Sequence, residues 1–408
     1  MKIIERLQIA KQWTLDNIEP RLVMLGTVIG FLFCVALGHY FARQNLYADY
    51  HRLHPYISMD TQFLPTFSNL YELAKSKIEP GKTLVIVGGD SVFNGQGQTV
   101  DKLWSDQLQK DLGDKYAVVN ISFRGGRVFE GAYWIFEALS KEKHDVIFVA
   151  NAFGAVIGIP CGNTPYRYMF WDGHFKGFLR DFQARQDFID FNPTLLVDQA
   201  QKPLDELFLC MQIDKYLRFR DLWNVVSYRL FSSIWTEGTA NNSLLPRILF
   251  KDKIPVSDTV NVRNSDQSLW LNTVRKYSQP YYQVANGKLV PNHQGWREFD
   301  LLCDCAVLPE LRPSTLVVST GVCPFYYDKL NATEQERHKL VLDHSFEQYA
   351  KNGYNTLVIS NLETDDFIDA VHLTPAGGYK VASQVAAKIR EIKEKQQNKN
   401  QKQIKNPN

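Results

Sequence analysis

Short apolar runs alternate with amphipathic helical stretches along much of this chain. Thr83–Val87, Tyr116–Ile121, Val146–Val149, Thr315–Thr320 and Thr356–Ser360 are bounded by turn residues and rich in β-branched side chains, the pattern of strands buried on both faces. Between them lie stretches with helical spacing. In Val100–Leu112, Leu103, Trp104, Leu108 and Leu112 share one side, and Phe129–Leu139 and residues 333–350 read the same way. Thr374-Pro375 has the form of an N-cap followed by a first-turn proline, opening a last helix that runs through Ile392. Strands alternating with helices predict an α/β fold built on a doubly wound parallel sheet.

Two regions depart from this rhythm. Residues 155–313 separate the third strand from the fourth and predict a long, mostly helical insertion rich in aromatic residues, as in 207–231. Near the N-terminus, Leu22 to Ala42 carries no Asp, Glu, Lys or Arg and is bracketed by Arg21 and Arg43. That length suits a transmembrane helix, in which Gly26, Gly30 and Gly38 are tolerated. A cleaved signal peptide would have to use the poor site Ala36-Leu37-Gly38 after a long leading segment, so an uncleaved anchor is the better reading. Phe33 stands before Cys34 where a lipoprotein signal needs a small residue, which argues against lipidation.

Lys2, Arg6, Lys11 and Arg21 precede the span, and only Arg43 and Arg52 follow it closely. The positive-inside rule then puts residues 1–21 in the cytoplasm, the span at 22–42, and the rest outside. The predicted order beyond the span is a stem over 43–81 with Leu70–Lys77 helical, the α/β domain over 82–392, and a disordered tail over 393–408 dominated by Lys, Gln and Asn with almost nothing apolar.

Composition changes this picture little. The 408 residues are 45% hydrophobic and 22% charged, an ordinary globular mixture. A net charge of +2 gives no basic face for nucleic acid. Beyond Cys34, the soluble part holds Cys161, Cys210, Cys303, Cys305 and Cys323, an odd number. Cys303 and Cys305 are too close to pair with each other, and without a matching pair of ligands they read as buried or bridged elsewhere rather than as a metal site.

The candidate chemistry sits at strand ends. Gly88-Gly89-Asp90-Ser91 follows the first strand, where a tight turn would present the Ser91 hydroxyl in the crevice at the carboxyl edge of the sheet. A serine needs a neighbouring base to become a nucleophile. His372 can serve, and Asp369, three residues earlier, can hold its tautomer and stabilise the imidazolium. The Gly125-Gly126 turn offers a backbone donor for an oxyanion.

Taken with their order, these pieces resemble the SGNH (GDSL) hydrolase superfamily. Gly89-Asp90-Ser91 matches its first block, Asn120-Ile121-Ser122-Phe123-Arg124-Gly125 its second, and Asp369-Ala370-Val371-His372-Leu373-Thr374-Pro375 its last. The resemblance implies a flavodoxin-like core, Ser91 as nucleophile, His372 as base, Asp369 as its orienter, and the Ser91 and Gly125 N–H groups in the oxyanion hole, with no cofactor or metal. The third block departs from the pattern: Val149-Ala150-Asn151-Ala152 lacks both the glycine and the second acid. Asn151 is either the remaining oxyanion donor or a residue that ends the strand, and both readings stay open.

The layout of anchor, core and insertion is similar to cell-envelope proteins such as the D-alanyl-transfer protein of teichoic acid operons and the alginate O-acetylation proteins. It implies a single-pass protein of the cytoplasmic membrane with its catalytic domain outside or in the periplasm. There it would act as an esterase or O-acyltransferase on an acylated envelope glycan or polymer, beside a membrane-bound O-acyltransferase. A non-catalytic assembly factor that binds such a partner or glycan is the alternative.

Other motifs carry less. Trp171-Asp172-Gly173-His174 lacks further ligands and reads as a loop, and Tyr166, Tyr168, Phe170, Trp171 and Phe175 as core packing ahead of a sugar-stacking or membrane-facing patch. Arg124 and Arg127 stand beside the oxyanion glycines, either toward an anionic substrate or as solvated helix-start residues. Gly95 and Gly97 give only a hint of a phosphate cradle.

Overall fold

The apolar runs assemble into one five-stranded parallel sheet in a computed structural model of the chain. The structure describes residues 19–42, 67–98, 102–123, 131–152 and 267–405, with a few isolated positions between them. The strands are β1 (Thr83–Gly88), β2 (Tyr116–Asn120), β3 (Val146–Asn151), β6 (Thr315–Ser319) and β7 (Asn355–Val358), in the spatial order β2-β1-β3-β6-β7. Between β3 and β6 a separate hairpin pairs β4 (Tyr282–Ala285) with β5 (Lys288–Pro291). Its two connecting residues, Asn286 and Gly287, both have positive φ, which matches the twist of the strands they join.

Side chains alternate across the central sheet, so both faces must be covered. Leu84, Ile86, Phe148, Ala150 and Val317 point into one core. It is closed by α2 (Phe67–Ser76), α5 (Ala132–Lys141), α7 (His293–Cys305) and α9 (Ala332–Lys351). Val85, Val87, Ile147, Val149, Leu316 and Val318 point into the other, closed by α4 (Trp104–Leu112), α6 (Gln267–Ser278), α8 (Pro324–Tyr327) and α10 (Pro375–Lys405). Helices on both faces make the sheet doubly wound, as the alternating pattern predicts.

Helix ends follow local chemistry. α9 starts at a capping box in which Asn331 Oδ1 accepts from the Glu334 N–H and Glu334 Oε2 accepts from the Asn331 N–H. At the head of α10, Thr374 Oγ1 accepts from the Gly377 N–H, with Pro375 in the first helical position.

Two predicted boundaries are corrected. The stem does not reach residue 81, because α2 buries Phe67, Leu70, Tyr71, Leu73 and Ala74 in the core of the sheet domain. Nor does order end at residue 392: α10 continues to Lys405. Its Lys, Gln and Glu residues are strong helix formers. The continuation is also held from the side, by Lys393 Nζ on Asp145 at 2.7 Å and by Gln396 Nε2 on Ser314 Oγ at 3.0 Å.

At the N-terminus, α1 (Pro20–Ala42) has 23 residues, about 35 Å at 1.5 Å per residue, long and apolar enough to cross a membrane. Within the predicted insertion, α6, the β4–β5 hairpin and α7 are ordered on the body of the domain, while most of 155–266 lies outside the described residues.

Candidate active site

Four segments that follow β1, β3, β6 and β7 converge at the carboxyl edge of the sheet. After β1, Gly89 turns the chain at φ +104°, a conformation that favours glycine, and a Cβ there would crowd the Asn151 backbone nitrogen at 3.0 Å. Asp90 then caps a single helical turn, α3 (Ser91–Asn94), its Oδ1 accepting from the Val92 N–H at 2.9 Å. Ser91 is thereby fixed at the first position of that turn and stays part-exposed.

The acid and base come from the far end of the chain. Phe367 and Leu373 form an antiparallel bridge, and the Thr374 N–H donates to the Asp366 carbonyl at 2.9 Å, closing a short loop with Asp369 and His372 on it. Asp369 Oδ1 accepts from the backbone N–H groups of Val371 and His372, each at 2.9 Å. Its other oxygen receives His372 Nδ1 at 2.7 Å, and His372 Nε2 lies 2.7 Å from Ser91 Oγ. A carboxylate only accepts, so the proton of the neutral ring sits on Nδ1, which leaves the Nε2 lone pair facing the serine hydroxyl. Asp369 and His372 are 6% and 4% exposed, shielding this pair from water. Ser91, His372 and Asp369, as named from the sequence, therefore form one continuous hydrogen-bonded chain.

Asn151 closes β3 beside them, but its amide points at a neighbour the sequence did not pair with it. Asn151 Nδ2 donates to both carboxylate oxygens of Asp90, at 3.1 Å each, and its Oδ1 is buried without a partner among the described residues. Burial pushes the Asp90 carboxyl above the usual carboxylate range, while Asn151, the Val92 N–H and the nearby His372 pull it back.

The second block is tied to the same turn: the Phe123 N–H donates to the Gly89 carbonyl at 3.0 Å, and Asn94 Nδ2 to the Ser122 carbonyl at 2.8 Å. Gly125, with Arg124 and Arg127, lies outside the described residues.

Three residues at the site escape a reading by motif. Gln98, fully buried, donates to the Thr374 carbonyl at 3.2 Å and accepts from the Trp104 N–H at 2.9 Å, bracing the loop of the base against the segment after the nucleophile. Trp270 of α6 sets its ring edge-on to His372, centroids 5.7 Å apart. Tyr277, two turns along the same helix, has its phenol pushed up by burial and then by the Asp90 carboxylate. No local pattern announces the last two; they come from the insertion and meet the site only through the tertiary fold.

Other sequence candidates find structural work or stay undescribed. Asp172 Oδ2 accepts from the Ser68 N–H and hydroxyl at 2.7 and 2.6 Å, at the start of α2, a helix-cap geometry. Trp171, His174, Tyr166, Tyr168, Phe170 and Phe175 lie outside the described residues. Gly97 has φ +89° and lets Ile368 approach its backbone. Cys303 and Cys323 are buried free thiols. Among the described residues no group of three His, Cys, Asp or Glu gathers as a metal site would require. Comparison with protein-family models, with curated proteins and with solved structures finds no match to this chain.

Proposed function

We propose that this chain is a membrane-anchored serine esterase or O-acyltransferase of the SGNH type, working through an acyl-Ser91 intermediate. The observation that carries this reading is the relay from Ser91 Oγ through His372 to Asp369, with both links at 2.7 Å. The strand order, the flavodoxin-like 2-1-3-4-5 arrangement when the two strands after the insertion are counted fourth and fifth, supports it by putting the serine at the strand ends where such sheets bind ligands.

In the first half-reaction, Ser91 Oγ attacks an ester carbonyl while His372 Nε2 takes its proton, and Asp369 stabilises the imidazolium. Negative charge builds on the carbonyl oxygen, toward the Ser91 and Gly125 N–H groups named from the sequence. Collapse expels the alcohol, which leaves with the proton from His372, and the acyl group stays on Ser91. Water or an acceptor hydroxyl then gives its proton to the same nitrogen and attacks the acyl-serine, regenerating the hydroxyl. Hydrolysis and transfer differ only in that second nucleophile.

The apolar span of α1, free of Asp, Glu, Lys and Arg from Leu22 to Ala42, supports action at a membrane surface; an acylated envelope polymer as substrate class and a membrane-bound O-acyltransferase as partner are what the resemblance in layout implies. A second reading, a non-catalytic assembly factor, draws on the engagement of the Asn151 amide with Asp90, which removes that donor from the oxyanion hole. Labelling of the full chain with a fluorophosphonate separates the two. Covalent modification at Ser91, absent in Ser91→Ala, is the expected result; a folded chain that takes no label would refute the enzyme.

A further inference from the structure

A cleft of about 310 Å³ opens at the carboxyl ends of β6 and β7, at the low end of the roughly 300–1,000 Å³ usual for small-ligand sites. Val322, Leu342, Ile359, Leu362 and Phe367 make its walls largely apolar, and Tyr277 stands over it.

The cleft lies beside the candidate active site, and none of Ser91, His372, Asp369, Asp90 and Asn151 lines it. Asn151 at the end of β3 is in register with Val318 of β6, one residue before Ser319 on the cleft wall. The nucleophile's strand β1 lies two strands from β6, about 10 Å at the spacing of paired strands. Phe367 belongs to the loop that holds Asp369 and His372, and the Cys323 N–H, beside the wall residue Val322, donates to the Ala370 carbonyl at 2.9 Å. Helix α6 spans the gap, with Trp270 against His372 and Tyr277 over the cleft.

We infer that this cleft receives the acyl chain of the substrate, selecting a chain of several carbons over acetyl. The inference rests on the acyl-serine reading: a chain attached at Ser91 would run past Asn151, under Tyr277 and into the apolar space. An alkyl group gains from leaving water, and only walls of this kind reward its length.

The test uses the full chain in lipid nanodiscs, with ethyl and octyl fluorophosphonates as probes of Ser91 and octanoate as a reversible ligand. Octyl should label Ser91 at least about tenfold faster than ethyl. Leu342→Trp, which fills the cleft from α9, should lower the ratio of octyl to ethyl rates to about one. Val358→Trp, at the exposed rim, serves the same purpose should the first variant fold poorly. Octanoate should bind Ser91→Ala saturably and lose that binding when Leu342→Trp is added. Equal rates for both probes in the parent chain, or equal slowing of both by Leu342→Trp, would overturn the assignment and leave the serine enzyme standing. Absence of any labelling, with octanoate still displaced by Leu342→Trp, would refute the enzyme and retain the cleft as an acyl-chain site.

Discussion

Asn151 spends its side-chain amide on Asp90, reaching both carboxylate oxygens at 3.1 Å, one residue before Ser91. The contact ties the end of β3 to the turn that carries the serine, and it is the largest of the interactions that offset the upward push of burial on the Asp90 carboxyl. Asn151 thus acts on the site through Asp90, whatever it does for an oxyanion.

The consequence is a pH-dependent stability. Burial raises the folded-state pKa of Asp90, so the folded chain holds that proton more tightly than the unfolded one, and stability falls as pH rises from the ordinary carboxylate range through the folded value. Asn151→Ala removes the largest opposing influence and widens that window upward. The variant should be about 1.5–3 kcal/mol less stable at pH values above both folded-state values of Asp90, the usual worth of hydrogen bonds to a charged group, with the gap narrowing as pH falls through those raised values toward the ordinary carboxylate range. Thermal melts of both chains from pH 4 to 8 measure it. A gap independent of pH would show that the amide does not support the ionised Asp90.

Asp369→Asn tests the relay without disturbing its loop. The asparagine oxygen can still accept from the Val371 and His372 N–H groups that Asp369 Oδ1 now receives. Its NH₂ would face His372 Nδ1 and hold the ring in the opposite tautomer, with a proton on Nε2 toward Ser91 Oγ. That ring cannot take the serine proton. Under the proposed mechanism Ser91 labelling should slow by about 10,000-fold at neutral pH while the melting temperature stays close to that of the parent chain. Labelling at the parent rate would remove Asp369 from the mechanism.

How far the sequence reaches is clear from particular residues. The strands were legible because a strand buried on both faces is a continuous apolar run, as in Leu84 to Val87, where side chains alternate between the two cores. Ser91, Asp369 and His372 were legible because each lies in a local motif at a strand end. Asp90 and Asn151 were both noticed, but their pairing was not, since 61 residues separate them and only the register of β1 with β3 brings them together. The Asn286-Gly287 hairpin carried a short-range signal that went unread inside an apparently helical insertion. Trp270 and Tyr277 gave no local signal, because an aromatic on a helix face reads as core until the helix is docked.

Gly97 separates backbone strain from site geometry. It has φ +89°, and an added Cβ would collide with the Ile368 Cδ1 atom, next to Asp369. Gly353 has the same φ but nothing within 4 Å of an added Cβ. Alanine at either position should cost about 1–3 kcal/mol from backbone strain. Gly97→Ala should also displace the 368–372 loop and slow Ser91 labelling, whereas Gly353→Ala should label at the parent rate. Equal labelling by both variants would show that Ile368 yields without moving the base.

Of the two buried thiols on opposite faces of the sheet, Cys323 reports on that loop and Cys303 on the other core. Burial pushes the Cys323 thiol up to about 11, and Cys303 higher still, so at pH 8 roughly one Cys323 in a thousand would be the reactive thiolate. Cys323 packs in the core on the side of the acid–base loop, where its N–H donates to the Ala370 carbonyl, while Cys303 packs in the other core. Iodoacetamide at pH 8, read residue by residue in peptide maps, should leave both unmodified in the native chain and modify both after denaturation. Gln98→Ala removes the fully buried brace between the loop of the base and the N-terminus of α4. Local opening of that loop should then raise Cys323 modification severalfold, with Cys303 unchanged as the internal control. Equal gains at both thiols would mean that Gln98 supports the whole domain, and no gain at either would mean that the loop stays closed without it.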